Sequence, residues 1–236
     1  MSSLSLRERF HQTLPLWLEE VKEEAYQRIA SCRLITACYQ GERHIIKAKL
    51  ITYWPFVKVF PEIIHRCGAQ LLRKFTQTDK ADLIGISREI LVSMRQDESD
   101  HRELWVKTSK AVGLSHADLG VSPLPSVQRI IDTVGQNDNL GVVFLRFVAV
   151  ELVAESVSRR LLESEHFKTF VGEAGLSWYE IHTRVYPGMT HEEIAYRLAF
   201  LLLEDTSREY VRPIILDIID QFTAAGDAAC DLLSTP

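Results

Sequence analysis

Residues 95–105, RQDESDHRELW, place Glu98 and His101 three positions apart. On a helix that spacing sets both side chains on one face about a turn apart. A Glu-x-x-His pair contributed by one helix of a bundle is how carboxylate-bridged iron sites are commonly assembled. Leu91, Met94, Leu104 and Trp105 lie on or near the same face, which predicts that it looks inward. Arg95, Asp97, Asp100, Arg102 and Glu103 surround the pair, so a solvated charged face is the competing reading. A second carboxylate, Glu151, stands in GVVFLRFVAVELVAE (141–155), the most apolar stretch of the chain. A buried, unpartnered carboxylate is costly, so Glu151 is expected to meet a metal, a strong donor, or an arginine from another helix. In LSWYEIHTRVYPGMTHEE (176–193), His182, Tyr186 and Met189 form an i, i+4, i+7 stripe if the helix runs on past Pro187. His182 alone also reads as a satisfied core histidine, and His191, just after the cap-like Thr190, reads as exposed.

Helices must position these groups. Apolar residues recur at helical spacing along most of the chain, and no convincing alternating run or repeat is present. Leu6 to about Ala30 reads as one amphipathic helix with Pro15 inside it. Leu34 to Gln40 ends at Gly41, and Ile45 to Lys74 is a long helix expected to bend near Pro55 or Pro61. Further helices are predicted at Asp82 to Val112, Ser126 to Val134, Gly141 to Leu162, His166 to Ala174, Trp178 to Tyr186, Glu192 to Leu203 and Arg208 to Leu233. Three of these helices each offer an inward carboxylate or imidazole, about fifty and then about thirty residues apart, as successive helices of a bundle require. The expectation is an all-α fold, one domain over residues 1–236.

Composition narrows the function classes. A net charge of −5 with no basic stripe argues against nucleic-acid binding. Hydrophobic and charged shares of 46% and 25% are those of an ordinary globular protein. Cys32, Cys38, Cys67 and Cys230 are irregularly spaced, which predicts reduced, non-catalytic thiols and a cytoplasmic location. Only Cys67, next to His65 and Arg66, has sequence neighbours that would lower its pKa. The N-terminus MSSLSLRERFHQ has no signal-like apolar core, and Val142 to Ala154 is too short to span a bilayer.

The passages ACYQGERHIIKAKLITYWPFVKVFPEII (37–64) and REILVSMRQDESDHRELWVKTSKAVGL (88–114) resemble the haem-oxygenase-like superfamily that includes TenA, PqqC and the CADD-type non-haem iron oxidases. The first looks like that family's early helix-turn-helix and the second like its first ligand helix, and the likeness extends over about residues 30–205. It implies a bundle of about seven to nine helices. It also implies Glu98, His101, Glu151 and His182 as metal ligands, with Tyr186 lining the pocket as the candidate catalytic residue. Glu98, His101 and His182 would then form a two-histidine, one-carboxylate set suited to Fe(II), with Glu151 bridging or supporting it.

Where the family pattern has an acid and a second histidine, this chain has Tyr186 and Met189. The resemblance therefore implies one tight iron site and a weak or absent second site. Glu155, His191 or Glu192 compensates only if the Pro187-Gly188 break turns the next helix inward. The implied activity is an O2-using oxidase or oxygenase acting on a small amino-acid or carboxylic-acid substrate, with homodimerisation possible. The alternatives are a metal-free family member that binds a small metabolite in the same cavity, and a protein whose helices mainly dimerise. A thiaminase-like reading lacks its middle-helix cysteine.

Overall fold

The computed structural model describes residues 6–75, 81–136, 139–184 and 189–234. Pro15, which lacks an N–H and fixes φ, interrupts the N-terminal amphipathic stretch. It becomes two helices, α1 (Leu6–Phe10) and α2 (Trp17–Ser31), where one was expected. After them come α3 (Arg33–Tyr39) and α4 (Arg43–Phe75), which keeps both Pro55 and Pro61 inside one helix. The chain continues through α5 (Ala81–Ala111), α6 (Pro125–Gly135), α7 (Leu140–Leu162) and α8 (Glu165–Val171). It ends with α9 (Glu173–Ile181), α10 (His191–Leu202) and α11 (Arg208–Ser234). The described residues form no strand, and their eleven helices exceed the expected seven to nine. No helix among them is long and apolar enough to cross a membrane.

Local chemistry sets the boundaries nearest the site. Gly172, at φ 71°, separates α8 from α9, so the two short segments expected there are divided differently. Thr190 caps α10 as predicted, its hydroxyl accepting from the Glu193 amide at 3.1 Å. Asn139 caps α7 in the same way, accepting from the Gly141 amide at 2.9 Å.

The axis of the fold is α7. Phe144, Phe147, Val148, Leu152 and Leu161 on it are fully buried. Each such side chain contributes about 1.5–3 kcal/mol by leaving water, so this helix is the surface on which its neighbours dock. It packs against α2, α9, α10 and α11, while α5 packs against α4 and α9. The α5–α9 crossing is close because position 175 is glycine. A Cβ there would lie 2.5 Å from Val171 Cγ1 and 3.1 Å from Ala111 Cβ. Across the same crossing, Thr108 Oγ1 donates to the Gly175 carbonyl at 2.7 Å. Gly175→Val should overpack this contact, cost about 1–3 kcal/mol in urea denaturation, and move the end of α9 away from α5. An unchanged unfolding midpoint would show that the crossing tolerates bulk.

All four cysteines are free and buried. Burial pushes the Cys32 and Cys67 thiols up to about 11 and Cys38 up to about 12. Cys67 is therefore a protonated core thiol despite Arg66 beside it.

Candidate metal centre

The Gly175 crossing carries the end of α9 to the middle of α5. His182 caps α9, and its ring centroid lies 4.5 Å from that of His101 on α5. One turn earlier on α5, Glu98 Oε1 lies 2.9 Å from His101 Nδ1. From α7, Glu151 turns toward the same space. Glu98, His101 and His182 present donor atoms within 4.8 Å of one another, as do Glu98, Glu151 and His191. The four ligands implied by the resemblance thus converge from three elements, and a fifth group joins them. Tyr186 lies outside the described residues, and Met189 packs against the hydrophobic core.

His191 corrects the sequence expectation of an exposed side chain. Its side chain is 21% exposed. Its Nδ1 lies 3.9 Å from Glu98 Oε1 and 3.8 Å from Glu151 Oε1, and its Nε2 lies 3.0 Å from Asp97 Oδ2. The start of α10 therefore faces inward, the condition under which His191 was expected to compensate, while the Pro187-Gly188 break itself lies outside the described residues. Glu155 and Glu192 do not join the donor sets; both pair with Lys22, at 3.2 and 3.0 Å.

Electrostatics separates the roles of the donors. Burial alone would push the Glu98 carboxyl up, but foremost the charge of His101 and its contact hold it below the usual carboxylate range. His101 moves the other way, its burial outweighed by Glu98, so its pKa is raised. Burial, followed by the neighbouring His101, pulls His182 down to about 4, so its ring is neutral near neutral pH. The Nδ1–H of His182 donates to the Trp178 carbonyl at 2.6 Å, which leaves the Nε2 lone pair free for a metal. Asp97 holds the Nε2 side of His191 in the same manner, turning Nδ1 toward Glu98 and Glu151. Burial and the Glu98 charge push Glu151 up to about 7.

These residues fit a first-row metal ion. Glu151 Oε1 is buried without a hydrogen-bond partner, the kind of orphaned acceptor that a cation would satisfy. Bonds of about 2.1 Å put neighbouring ligands about 3.0 Å apart and opposite ligands about 4.2 Å apart. The 2.9 Å Glu98–His101 separation matches neighbouring ligands, and the 3.8 and 3.9 Å separations at His191 stay within the upper bound. Carboxylate and imidazole donors suit Fe(II) and other borderline divalent ions. Glu98, Glu151 and His182 also line a cavity whose remaining wall is largely apolar, including Ile35, Phe56, Phe60, Val153 and Phe222.

No family model matches the chain, and no curated protein matches it by sequence. Solved structures do match. A TenA homologue from Pseudomonas syringae pv. tomato superposes with a TM-score of 0.75 at 16% identity, covering 98% of each chain. A domain of unknown function with a haem-oxygenase-like fold, from Shewanella denitrificans, gives 0.72 at 12% identity over 94% of each chain. A TenA homologue from P. horikoshii gives 0.58 at 12% identity, covering 96% of this chain and 98% of the other. The eleven described helices and their packing therefore form the all-α, haem-oxygenase-like fold of these TenA homologues.

Proposed function

We propose that the chain is a non-haem iron-dependent oxidase or oxygenase that uses O2 on a small organic acid or amino acid held in the helical cavity. The observation that carries this reading is the pair of three-residue donor sets sharing Glu98, with the unpartnered Glu151 oxygen on the wall of an apolar cavity. A bound ferrous ion supplies redox chemistry with positions left open for O2 and substrate. The chain's own residues do the rest. Glu98 joins the two donor sets, and Trp178 and Asp97 fix the histidine rings that face them. Trp105 and Trp178 line the cavity on the side of the donors, and Phe56 and Phe60 continue its apolar wall.

Charge favours one ion over two. Two ferrous ions would bring four positive charges against the carboxylates of Glu98 and Glu151. Glu155 and Glu192, which would help balance them, are already engaged, Glu155 with Lys22 and Arg159 and Glu192 with Lys22. An uncompensated double charge inside a buried site is strongly unfavourable. Anaerobic Fe(II) titration followed by calorimetry should therefore find one tight equivalent, at Glu98, His101 and His182. A second, at Glu98, Glu151 and His191, should be weaker by at least about tenfold, the equivalent of 1.4 kcal/mol. Two equally tight equivalents, or an antiferromagnetically coupled pair in Mössbauer spectra at one iron per chain, would refute the asymmetry. The second reading, a metal-free protein that binds a small metabolite, is favoured by the Glu98–His101 hydrogen bond, which already satisfies both groups in part. Absence of any iron binding would select it.

A further inference from the structure

Lys49, on α4, is only 2% exposed. Its Nζ donates to the Tyr179 hydroxyl at 3.0 Å and sits over the rings of Trp105, Tyr179 and Trp178, at 4.7, 4.8 and 5.5 Å from their centroids. No carboxylate pairs with it among the described residues. An ammonium carries three donors, and the Tyr179 hydroxyl takes one. Aromatic faces attract a cation but accept no full hydrogen bond, so two N–H groups remain to be satisfied. Lys49, Trp105 and Trp178 all line the same cavity as Glu98, Glu151 and His182. Of the described residues on that wall, Lys49 is the one lysine or arginine. Burial lowers its pKa to about 8, which leaves the ammonium form dominant at neutral pH.

The wall beyond Lys49 is apolar in effect. Lys49, Tyr53, Phe56 and Phe60 are spaced 4, 3 and 4 residues apart and form one stripe of α4 on the cavity. At 1.5 Å per residue this stripe is about 16 Å long. Tyr53 donates its hydroxyl to the Phe222 carbonyl at 2.7 Å and so offers its ring to the cavity. Phe56 stacks on Phe60 at 5.3 Å and meets Phe222 edge-on at 5.1 Å. Lys49 marks the end of this stripe nearest the donor cluster, because Trp178 touches both: its ring lies 4.2 Å from that of His182 and beneath the Lys49 ammonium.

We infer that Lys49 is the anchor for a carboxylate on the cavity's ligand, whose apolar body, aliphatic or aromatic, runs along Tyr53, Phe56 and Phe60. This rests on the reading of the cavity as the substrate site and narrows that substrate to monocarboxylates with an apolar body. The carboxylate would supply the acceptors that two Lys49 N–H groups lack. The carbons next to it would then lie on the Trp178 side of the cavity, beside the metal donors. Among the described residues of this wall, no second lysine or arginine would pair a further anionic group.

The test uses octanoate and 3-phenylpropanoate as probes, with 1-octanol and 3-phenyl-1-propanol as uncharged matches, on the full chain by calorimetry. Measurements are made on metal-free and on Fe(II)-loaded anaerobic protein. Wild type should bind at least one acid more tightly than its alcohol in both states. Lys49→Met, which keeps the length and apolar stem, should lose at least about tenfold for the acids, as expected for a lost charged hydrogen bond, and change little for the alcohols. Tyr179→Phe, which frees one more Lys49 proton, should leave acid binding intact. Equal acid affinity in wild type and Lys49→Met would overturn the assignment, as would a wild-type preference for the alcohols or no binding of either acid. Charge-dependent binding by metal-free protein that takes up no iron would remove the iron reading and leave the Lys49 assignment standing. Tight iron binding without acid binding would do the opposite.

Discussion

Glu98→Gln should weaken Fe(II) binding by at least about a hundredfold and abolish both binding steps together. Glu98 is the one residue common to the two donor sets, so its loss removes a ligand from each. Changing a residue that merely supports a ligand typically costs about 10–100-fold in metal affinity, and removing a charged ligand costs more. Glutamine is nearly isosteric, and its carbonyl oxygen can still accept from His101, so the bundle should keep its fold. His182→Ala and His191→Ala divide the effect. The first should abolish the tight step, because His182 belongs to the set with His101. The second should affect only the weaker step, because His191 belongs to the set with Glu151. Anaerobic calorimetry on the three variants, with circular dichroism as the fold control, checks the pattern. Full iron affinity in folded Glu98→Gln would remove Glu98 from the metal centre and, with it, the shared-ligand arrangement.

Lys49→Met should make the protein more stable at pH 7, by about 2–3 kcal/mol, and the gain should vanish in alkali. The folded chain holds Lys49 near pKa 8 against 10.5 for a free lysine. That lowering means the folded state disfavours the ammonium, by about 3 kcal/mol at 1.36 kcal/mol per pKa step. Below pH 8 both states carry the charge, and the folded state bears the full desolvation cost. Between pH 8 and 10.5 the folded state has lost the proton while the unfolded state keeps it, so unfolding takes up a proton and wild-type stability rises with pH. Above 10.5 both are neutral and the cost is gone. Methionine carries no charge at any pH, so the difference between variant and wild type isolates this one group. Urea denaturation at pH 7 and pH 10.5 measures it. A gap that does not change with pH, or a variant less stable at pH 7, would show that the aromatic rings and the Tyr179 hydroxyl already compensate the charge. A side chain that lowers stability while lining a cavity is a common mark of a binding residue, because function and stability then pull against each other.

Much of the fold and half of the site follow from local rules. Apolar periodicity marks the helices, and turn chemistry marks their ends: Thr190 caps α10 as its residue type predicts. The three-residue spacing of Glu98 and His101 places them on one face wherever the helix goes, and the 2.9 Å contact follows from that spacing alone. Glu151 announces itself by standing in the most apolar run of the chain, since a carboxylate there needs a reason. These inferences survive because each depends on residues within about a turn or two of one another.

Other features depend on how distant surfaces meet. Periodicity says which face of a helix is buried, but not which other face it touches. His191 follows a helix cap and reads as exposed, yet the packing of α10 on α7 brings it beside Glu98 and Glu151. Its second partner, Asp97, lies 94 residues away and looks like one more charge on a polar face. The stripe expected from His182 through Tyr186 to Met189 presupposed a continuous helix, but α9 stops at Ile181 and Met189 joins the core. Nothing in the spacing of HIIKAKLITYW singles out Lys49. Its cage is drawn from α5 and α9, whose close approach rests on a glycine 126 positions further on. Sequence spacing reports the order within a helix. Packing between helices, governed by side-chain size at the crossings and by the turns that join them, assembled the site.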